Sequence, residues 1–189
     1  MKSFRTGMVA GVALAAVAVL DGAAQAAPPV EHEHYEFREL GSFDDCGFQI
    51  DYDWQGRGQF LIRELKGSDG QAFLLHDNHS FRTVFSNPAT GAWMVVRGKS
   101  LFKEITGTHV EGDVWEFTAH EAGQPFVVED SDGNVVARSS GLVVYRALFD
   151  TLGDGQPGGE LLDVEVTAAH GRQEGSIDDL CDFAAALIG

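Results

Sequence analysis

The sequence has few of the features that usually identify a function. Its 189 residues include only two cysteines and five prolines, and 13 basic side chains stand against 29 acidic ones, for a formal net charge of −16. A chain this acidic repels other polyanions, so we expect no nucleic-acid partner. Negative charge also favours solubility, and it leaves cations and cationic partners as candidates.

Known catalytic motifs are missing as well. The chain contains no Gly-x-Ser-x-Gly elbow, no His-Glu-x-x-His zinc motif, no glycine loop followed by lysine for phosphate, and no dinucleotide fingerprint. We therefore predict no cofactor and no metal centre, and the motifs leave open whether the protein is an enzyme.

The sequence has one long apolar run, from Met8 to Leu20, and this run is too short to span a bilayer comfortably. Lys2 and Arg5 precede it, and Ala24-Gln25-Ala26 supplies the small residues that a signal peptidase requires. This pattern predicts a signal peptide over residues 1–26, secretion, and no membrane anchor. Its removal takes away two basic residues and one acidic residue, a net charge of +1, so −16 becomes −17.

The two cysteines, Cys46 and Cys181, lie near opposite ends of the predicted mature chain, residues 27–189. Secretion exposes a protein to oxidising conditions, and two cysteines allow only one pairing. We predict a disulfide between them, with two free buried thiols as the alternative. The length of the chain suits one domain with a sizeable core.

Short apolar segments rich in Val, Phe, Ile and Trp alternate with turn-forming residues through most of the chain. Asp132-Gly133 is a strong hairpin signal, and residues 162–167 alternate apolar and polar side chains without exception. About ten short strands in this order predict an all-β antiparallel meander, either a sandwich or a barrel. We favour a closed barrel, because closure removes exposed strand edges.

The last residues predict a short C-terminal helix over residues 176–188. Ser176 is suited to cap it, and Asp179 stands at the position that completes a capping box. Apolar residues recur at helical spacing and would bury Cys181. The helix would cover an opening of the barrel or pack on its outer wall.

Three groups of residues could hold a metal ion, and each has a simpler explanation. His32-x-His34 could share a metal, but no third ligand is evident and solvated histidines are more common. Asp130-x-Asp132-Gly133-Asn134 resembles the start of a calcium loop, yet a hairpin turn explains it better. The acidic loop from Asp150 to Glu160 could bind calcium weakly.

The residues His76-Asp77-Asn78-His79, followed by Arg82, could supply acid-base or ligand-binding groups, although a polar hairpin turn is the simpler interpretation. Aromatic residues on strands could line a barrel interior, which is either filled with side chains or holds one small ligand. If a pocket exists, we expect its ligand contacts among these residues: His76, Arg82, Trp93, Trp115 and Tyr145.

Several short segments are distinctive when they are taken together. They include Asp45-Cys46-Gly47-Phe48, Ser86 to Gly91 and Asp179-Leu180-Cys181-Asp182. Together they resemble an uncharacterised group of small secreted actinobacterial proteins that have a Cys-Gly near the mature start and an Asp-x-Cys terminal segment. The resemblance implies export, a β architecture and the cysteine pairing. It carries no assigned activity.

These observations favour a secreted binding module for a small apolar ligand or a partner. The alternatives are a barrel enzyme of the isomerase or hydrolase kind that uses His76 and its neighbours, and an extracellular interaction protein with a filled core. The sequence leaves the oligomeric state open.

Overall fold

The computed structural model describes residues 31–189, and the predicted signal peptide lies outside them. This part of the chain forms seven strands and a short helical segment at the C-terminus. The elements are β1 (Glu31–Phe43), β2 (Ile50–Glu64), β3 (Phe73–Ser86), β4 (Trp93–Glu111), β5 (Val114–Glu129), β6 (Val135–Asp150), β7 (Glu160–Gln173), a 3-10 turn (Ile177–Asp179) and α1 (Leu180–Leu187). The expected all-β meander with a short terminal helix is confirmed.

The prediction of a closed barrel is wrong. The strands form one antiparallel sheet in the order β1 to β7, and within residues 31–189 the two end strands are not paired with each other. The strands are 13 to 19 residues long. The prediction of about ten short strands failed because internal glycines, such as those at positions 56 and 58, and the polar run 76–79 lie within long strands instead of turning the chain.

The internal glycines make room for aromatic rings on neighbouring strands. A β-carbon added to Gly58 would lie 2.6 Å from the ring of Tyr35, and one added to Gly56 would lie 2.6 Å from the ring of Phe37. In each case the ring belongs to the residue directly opposite in the ladder, so the aromatic side chain covers the glycine. Five cross-strand pairs share this arrangement: Tyr35–Gly58, Phe37–Gly56, Tyr52–Gly41, Phe81–Gly98 and Phe117–Gly107.

One core lies between the sheet and the C-terminal helix. Met94, Val96 and Val128 of the sheet are buried there together with Ala184 and Ile188. The side-chain amide of buried Asn87 donates a 2.9 Å hydrogen bond to the backbone carbonyl of Ile188. Burial of apolar area at about 25 cal/mol per Å² therefore holds the helix on the sheet, assisted by this hydrogen bond.

A second buried cluster lies elsewhere in the sheet. It contains Ala72, Leu74, Trp115 and Phe117, with Phe149 packed against it. The sheet thus has two apolar centres, and the polar groups described below connect the strands between them.

The predicted capping box and disulfide are both confirmed. The Ser176 hydroxyl accepts from the backbone N–H of Asp178, and the Asp179 carboxylate accepts from the backbone N–H of Ser176 at 2.8 Å. Cys46 and Cys181 are bonded, with Cα atoms 5.0 Å apart. The predicted apolar face of the helix is confirmed at residues 184 and 188, which are buried, but the prediction that this face buries Cys181 is wrong, because Cys181 is exposed. No helix in the described range is both long and apolar enough to cross a bilayer.

Candidate functional site

The strands β1 to β4 present two chemically different faces. Their ladders have regular register, so side chains alternate strictly between the faces. We call the inner face the one that carries Tyr35, His79 and Ser100, on the same side as the core residue Met94. The outer face carries Arg57 and Lys99.

A continuous chain of polar contacts crosses the inner face. Ser100 Oγ lies 3.2 Å from His79 Nε2 and donates a 2.7 Å hydrogen bond to Glu121. His79 Nδ1 lies 3.1 Å from an Asp77 carboxylate oxygen. Two tyrosine hydroxyls complete the chain. The Tyr35 hydroxyl donates to the Asp77 carboxylate at 3.1 Å, and the Tyr145 hydroxyl donates to the Glu121 carboxylate at 2.9 Å. These side chains form the polar network: Tyr35, Asp77, His79, Ser100, Glu121 and Tyr145.

The register of the sheet explains why these groups meet. Residue 58 faces His79 across β2 and β3, and His79 faces Ser100 across β3 and β4. Asp77 stands two residues before His79 and therefore shares its face. Because Gly58 has no side chain, the Tyr35 ring can reach across it towards Asp77. Asp77 and Ser100 are 5% and 3% exposed, so solvent has little access to either.

The network favours the charged form of its histidine. Interaction with the Asp77 side chain raises the pKa of His79, burial opposes this, and the Glu121 carboxylate adds a smaller increase. Nδ1 has no well-aligned hydrogen-bond partner in residues 31–189, so its 3.1 Å approach to the Asp77 carboxylate is a close charged contact. Burial and the adjacent carboxylates also raise the pKa values of Tyr35 and Tyr145, which keeps both phenols protonated as donors.

The order Asp77, His79, Ser100 has the connectivity of a catalytic triad. The proton positions do not suit a nucleophile, however, because the Ser100 hydroxyl donates to Glu121. His79 Nε2 must then donate to the serine oxygen instead of accepting its proton. We interpret the network as a set of polar groups that link the strands through hydrogen bonds and one charged contact, with His79 Nδ1 left without a hydrogen-bond partner in the described chain.

Another carboxylate, that of the half-buried residue Glu104, lies where the pairing of β3 with β4 ends. Glu104 accepts a 2.6 Å hydrogen bond from the backbone N–H of Leu75. Burial raises its pKa from 4.5 to about 7, an effect that this hydrogen bond only partly offsets. Neutral pH therefore lies close to the midpoint of its titration.

Two adjoining depressions lie on the outer face of β1 to β4. The larger, which we call the polar depression, has a volume of about 620 Å³. Its lining residues come from all four strands, and residues 35, 58 and 79 are among them. Six lining residues belong to the outer face and carry polar or charged side chains: Glu36, Arg57, Gln59, Asn78, Ser80 and Lys99.

The second depression, which we call the apolar depression, has a volume of about 420 Å³ and shares Gln59 and Asn78 with the first. Leu61 and Leu101 supply apolar surface, and His76 lies beside them. His76 Nε2 is buried without a hydrogen-bond partner in residues 31–189. Burial, followed by nearby cationic side chains, lowers the pKa of this imidazole.

The five predicted ligand residues do not form one cluster. His76 lines the apolar depression, and Arg82 is exposed on the same outer face. Tyr145 belongs to the polar network on the inner face. Trp115 is buried in the second core, and Trp93 is 38% exposed at the start of β4.

The residues considered as candidate metal ligands have other contacts. The rings of His32 and His34 lie with centroids 5.2 Å apart, and residues 31–189 contain no group of three His, Cys, Asp or Glu side chains arranged to hold a metal ion. Asp130 accepts bonds from its own hairpin turn. Asp150 and Asp154 likewise accept from nearby backbone N–H groups, and weak calcium binding by their loop stays a prediction.

No family model matches the sequence, and no similar protein is found among the curated proteins or the solved structures. The resemblance to small secreted actinobacterial proteins stays a prediction.

Sequence reasoning missed the roles of Ser100, Glu121, Arg57 and Lys99. These residues have no distinctive spacing along the chain, and only the strand register brings them together.

Proposed function

We propose that the protein is an exported binding module that holds a small ligand with an apolar part in the two depressions on the outer face of β1 to β4. The observation that carries this proposal is the environment of His76. Its Nε2 atom is buried without a partner in the described chain, and the residue lines a depression beside Leu61 and Leu101. A buried polar atom without a partner is unfavourable, and a ligand group could satisfy it.

The dimensions and the scaffold support the same proposal. The depressions are open, with volumes of about 420 and 620 Å³, and together leave room for a ligand that lies along the strands. The floor is made of paired strands, which hold side chains more firmly than a loop does. Export is supported by the signal-peptide pattern, and the disulfide is consistent with an oxidising compartment.

The experiment is a titration with N-phenyl-1-naphthylamine, a neutral apolar probe whose fluorescence rises on burial. We expect saturable binding by the wild type and at least tenfold weaker binding by Leu101→Asp. Leu162→Asp on β7 is the matched control, since the two leucines are 45% and 50% exposed and both variants should fold. Absence of saturable binding, or equal loss in both variants, would refute the proposed site.

A hydrolase is the second candidate, favoured by the contacts of 3.1 and 3.2 Å that join Asp77, His79 and Ser100. Its weakness is the burial of the serine, which neither depression reaches. Treatment with phenylmethylsulfonyl fluoride, followed by peptide mass spectrometry, tests it. A sulfonylated Ser100 would support the hydrolase, and an unmodified Ser100 under conditions that label a serine protease would exclude it.

A further inference from the structure

The basic side chains of this acidic protein are concentrated on one surface. The chain carries a formal net charge of −16, yet the outer face of β1 to β4 collects seven lysine and arginine side chains. Two of them, Arg38 and Arg97, form ion pairs with Asp53 and Glu129. The other five have no ion pair within residues 31–189: Arg57, Arg63, Arg82, Lys99 and Lys103.

Two of these cations flank a hydroxyl group at the centre of the polar depression. Arg57 faces Ser80 across β2 and β3, and Ser80 faces Lys99 across β3 and β4. Neighbouring strands lie about 4.8 Å apart, so the Cα atoms of the two cations are about 10 Å apart. Both side chains are exposed and long enough to meet above the serine.

We infer that the polar depression binds the anionic head of an amphiphilic ligand, a carboxylate, phosphate or sulfate, whose apolar part lies on Leu61 and Leu101. A guanidinium, an ammonium and a hydroxyl supply the charge-assisted donors that such a head requires. The inference rests on the proposed function, because it assigns a chemical class to the ligand of that site.

The length of the ligand follows from the strand geometry. The ladder row of Arg57 and Lys99 is four residues from the row of Leu61 and His76. At about 3.3 Å per residue, the anionic head and the far end of the apolar part are separated by about 13 Å. Gln59 and Asn78 lie between these rows and belong to both depressions, where their amides can bond to polar groups near the head.

Glu36 provides a test of the charge of the ligand, because it places a negative side chain in the same site. It faces Arg57 in the β1–β2 ladder and lines the polar depression, but no ion pair joins it to that arginine. A bound anion would be repelled by this carboxylate. Glu36→Gln should therefore tighten binding, whereas loss of either cation should weaken it.

The test is calorimetric titration of the mature protein with dodecanoate and with decyl maltoside, a neutral amphiphile, both below their critical micelle concentrations. We expect dodecanoate to bind at least tenfold more tightly than decyl maltoside. Arg57→Gln and Lys99→Gln should each weaken dodecanoate binding about tenfold, Glu36→Gln should strengthen it about threefold, and Lys66→Gln in the β2–β3 turn should leave it unchanged. Added NaCl should weaken it, because these charges are exposed.

The outcomes separate this inference from the proposed function. Equal affinity for the two amphiphiles, with loss in Leu101→Asp only, would overturn the anionic head and leave the apolar site standing. Dodecanoate binding that depends on Arg57 and Lys99 but is unchanged in Leu101→Asp would support the anion site and contradict the apolar one. No binding of either amphiphile would overturn both. Binding to phosphatidylglycerol vesicles without binding of soluble dodecanoate would overturn the inference of a small ligand.

Discussion

The buried carboxylate of Glu104 should make the protein less stable as the pH rises from 4.5 to 8. Burial raises its pKa from 4.5 in a solvated chain to about 7 in the folded protein. The folded state therefore holds the proton more tightly than the unfolded state does. Stability from this group is fully present below pH 4.5 and is lost as the pH rises through 7.

The magnitude follows from the difference between the two pKa values. Each unit corresponds to about 1.4 kcal/mol, so Glu104 should lower the free energy of unfolding by up to about 3 kcal/mol across this window. The His79 imidazole acts in the same direction, since its pKa is also raised in the fold. A wild-type pH profile alone therefore cannot isolate Glu104.

The substitution Glu104→Gln isolates the contribution of Glu104 to the free energy of unfolding. A neutral amide resembles the protonated acid and keeps an oxygen that can accept from the Leu75 N–H. We expect wild type and variant to be about equally stable at pH 4.5, and the variant to be more stable by about 3 kcal/mol at pH 8. Urea unfolding, followed through the fluorescence of buried Trp115, measures the free energy of unfolding of wild type and variant from pH 4.5 to 8.

Glu111→Gln is the matched control, because this glutamate is exposed in the same strand. Its difference from wild type should not change with pH. If the difference between Glu104→Gln and wild type is also constant between pH 4.5 and 8, the carboxylate is not desolvated as the structure indicates, and the reasoning fails.

Three further predictions concern the fold. Replacing Cys46 and Cys181 by alanine should lower the free energy of unfolding by about 4 to 5 kcal/mol, because the bond closes a loop of 135 residues; an unchanged urea midpoint would contradict this. Gly56→Ala should lower the melting temperature by several degrees, since its β-carbon would meet the Phe37 ring at 2.6 Å, whereas the nearest backbone atom is 3.3 Å away; restoration in the double variant with Phe37→Leu would identify that ring as the obstacle, and no loss in the single variant would refute the claim. Asn87→Ala should cost about 1 kcal/mol by removing the shorter of two hydrogen bonds to the Ile188 carbonyl, which keeps only the 3.4 Å bond from the Thr90 hydroxyl, and calorimetry showing no change would exclude that role.

Local patterns were enough to predict the turns and the terminal helix. Asp132-Gly133 forms the hairpin between β5 and β6, and Ser176 with Asp179 forms the capping box. These features depend on residues close together in the chain. The disulfide was predictable because two cysteines allow one pairing.

Strand length was not predictable from the same patterns. A glycine in an apolar segment usually indicates a turn, yet Gly56 and Gly58 lie inside β2 because rings from β1 cover them. Only the register shows which aromatic residue stands opposite each glycine. The merging of short predicted segments into seven strands, and the open sheet, follow from these pairs.

The candidate site depended on register even more strongly. His76 was a candidate ligand residue on the strength of its polar neighbours, and its role as one stays a prediction; Asp77 and His79 point to the opposite face because they are one and three residues away. Arg57 and Lys99 are 42 positions apart in the sequence and meet only through the ladders of β3. Net charge gave no indication of a local basic surface.

The most direct test of the central claim is a ¹H–¹⁵N NMR titration of the folded protein with dodecanoate. We expect saturable shifts of the side-chain amide signals of Gln59 and Asn78, which both depressions share. We expect no shift of the Asn134 side-chain amide, which is bonded to Asp130 in the β5–β6 turn. Signals of residues 59 and 78 that do not move at saturating dodecanoate would contradict the claim.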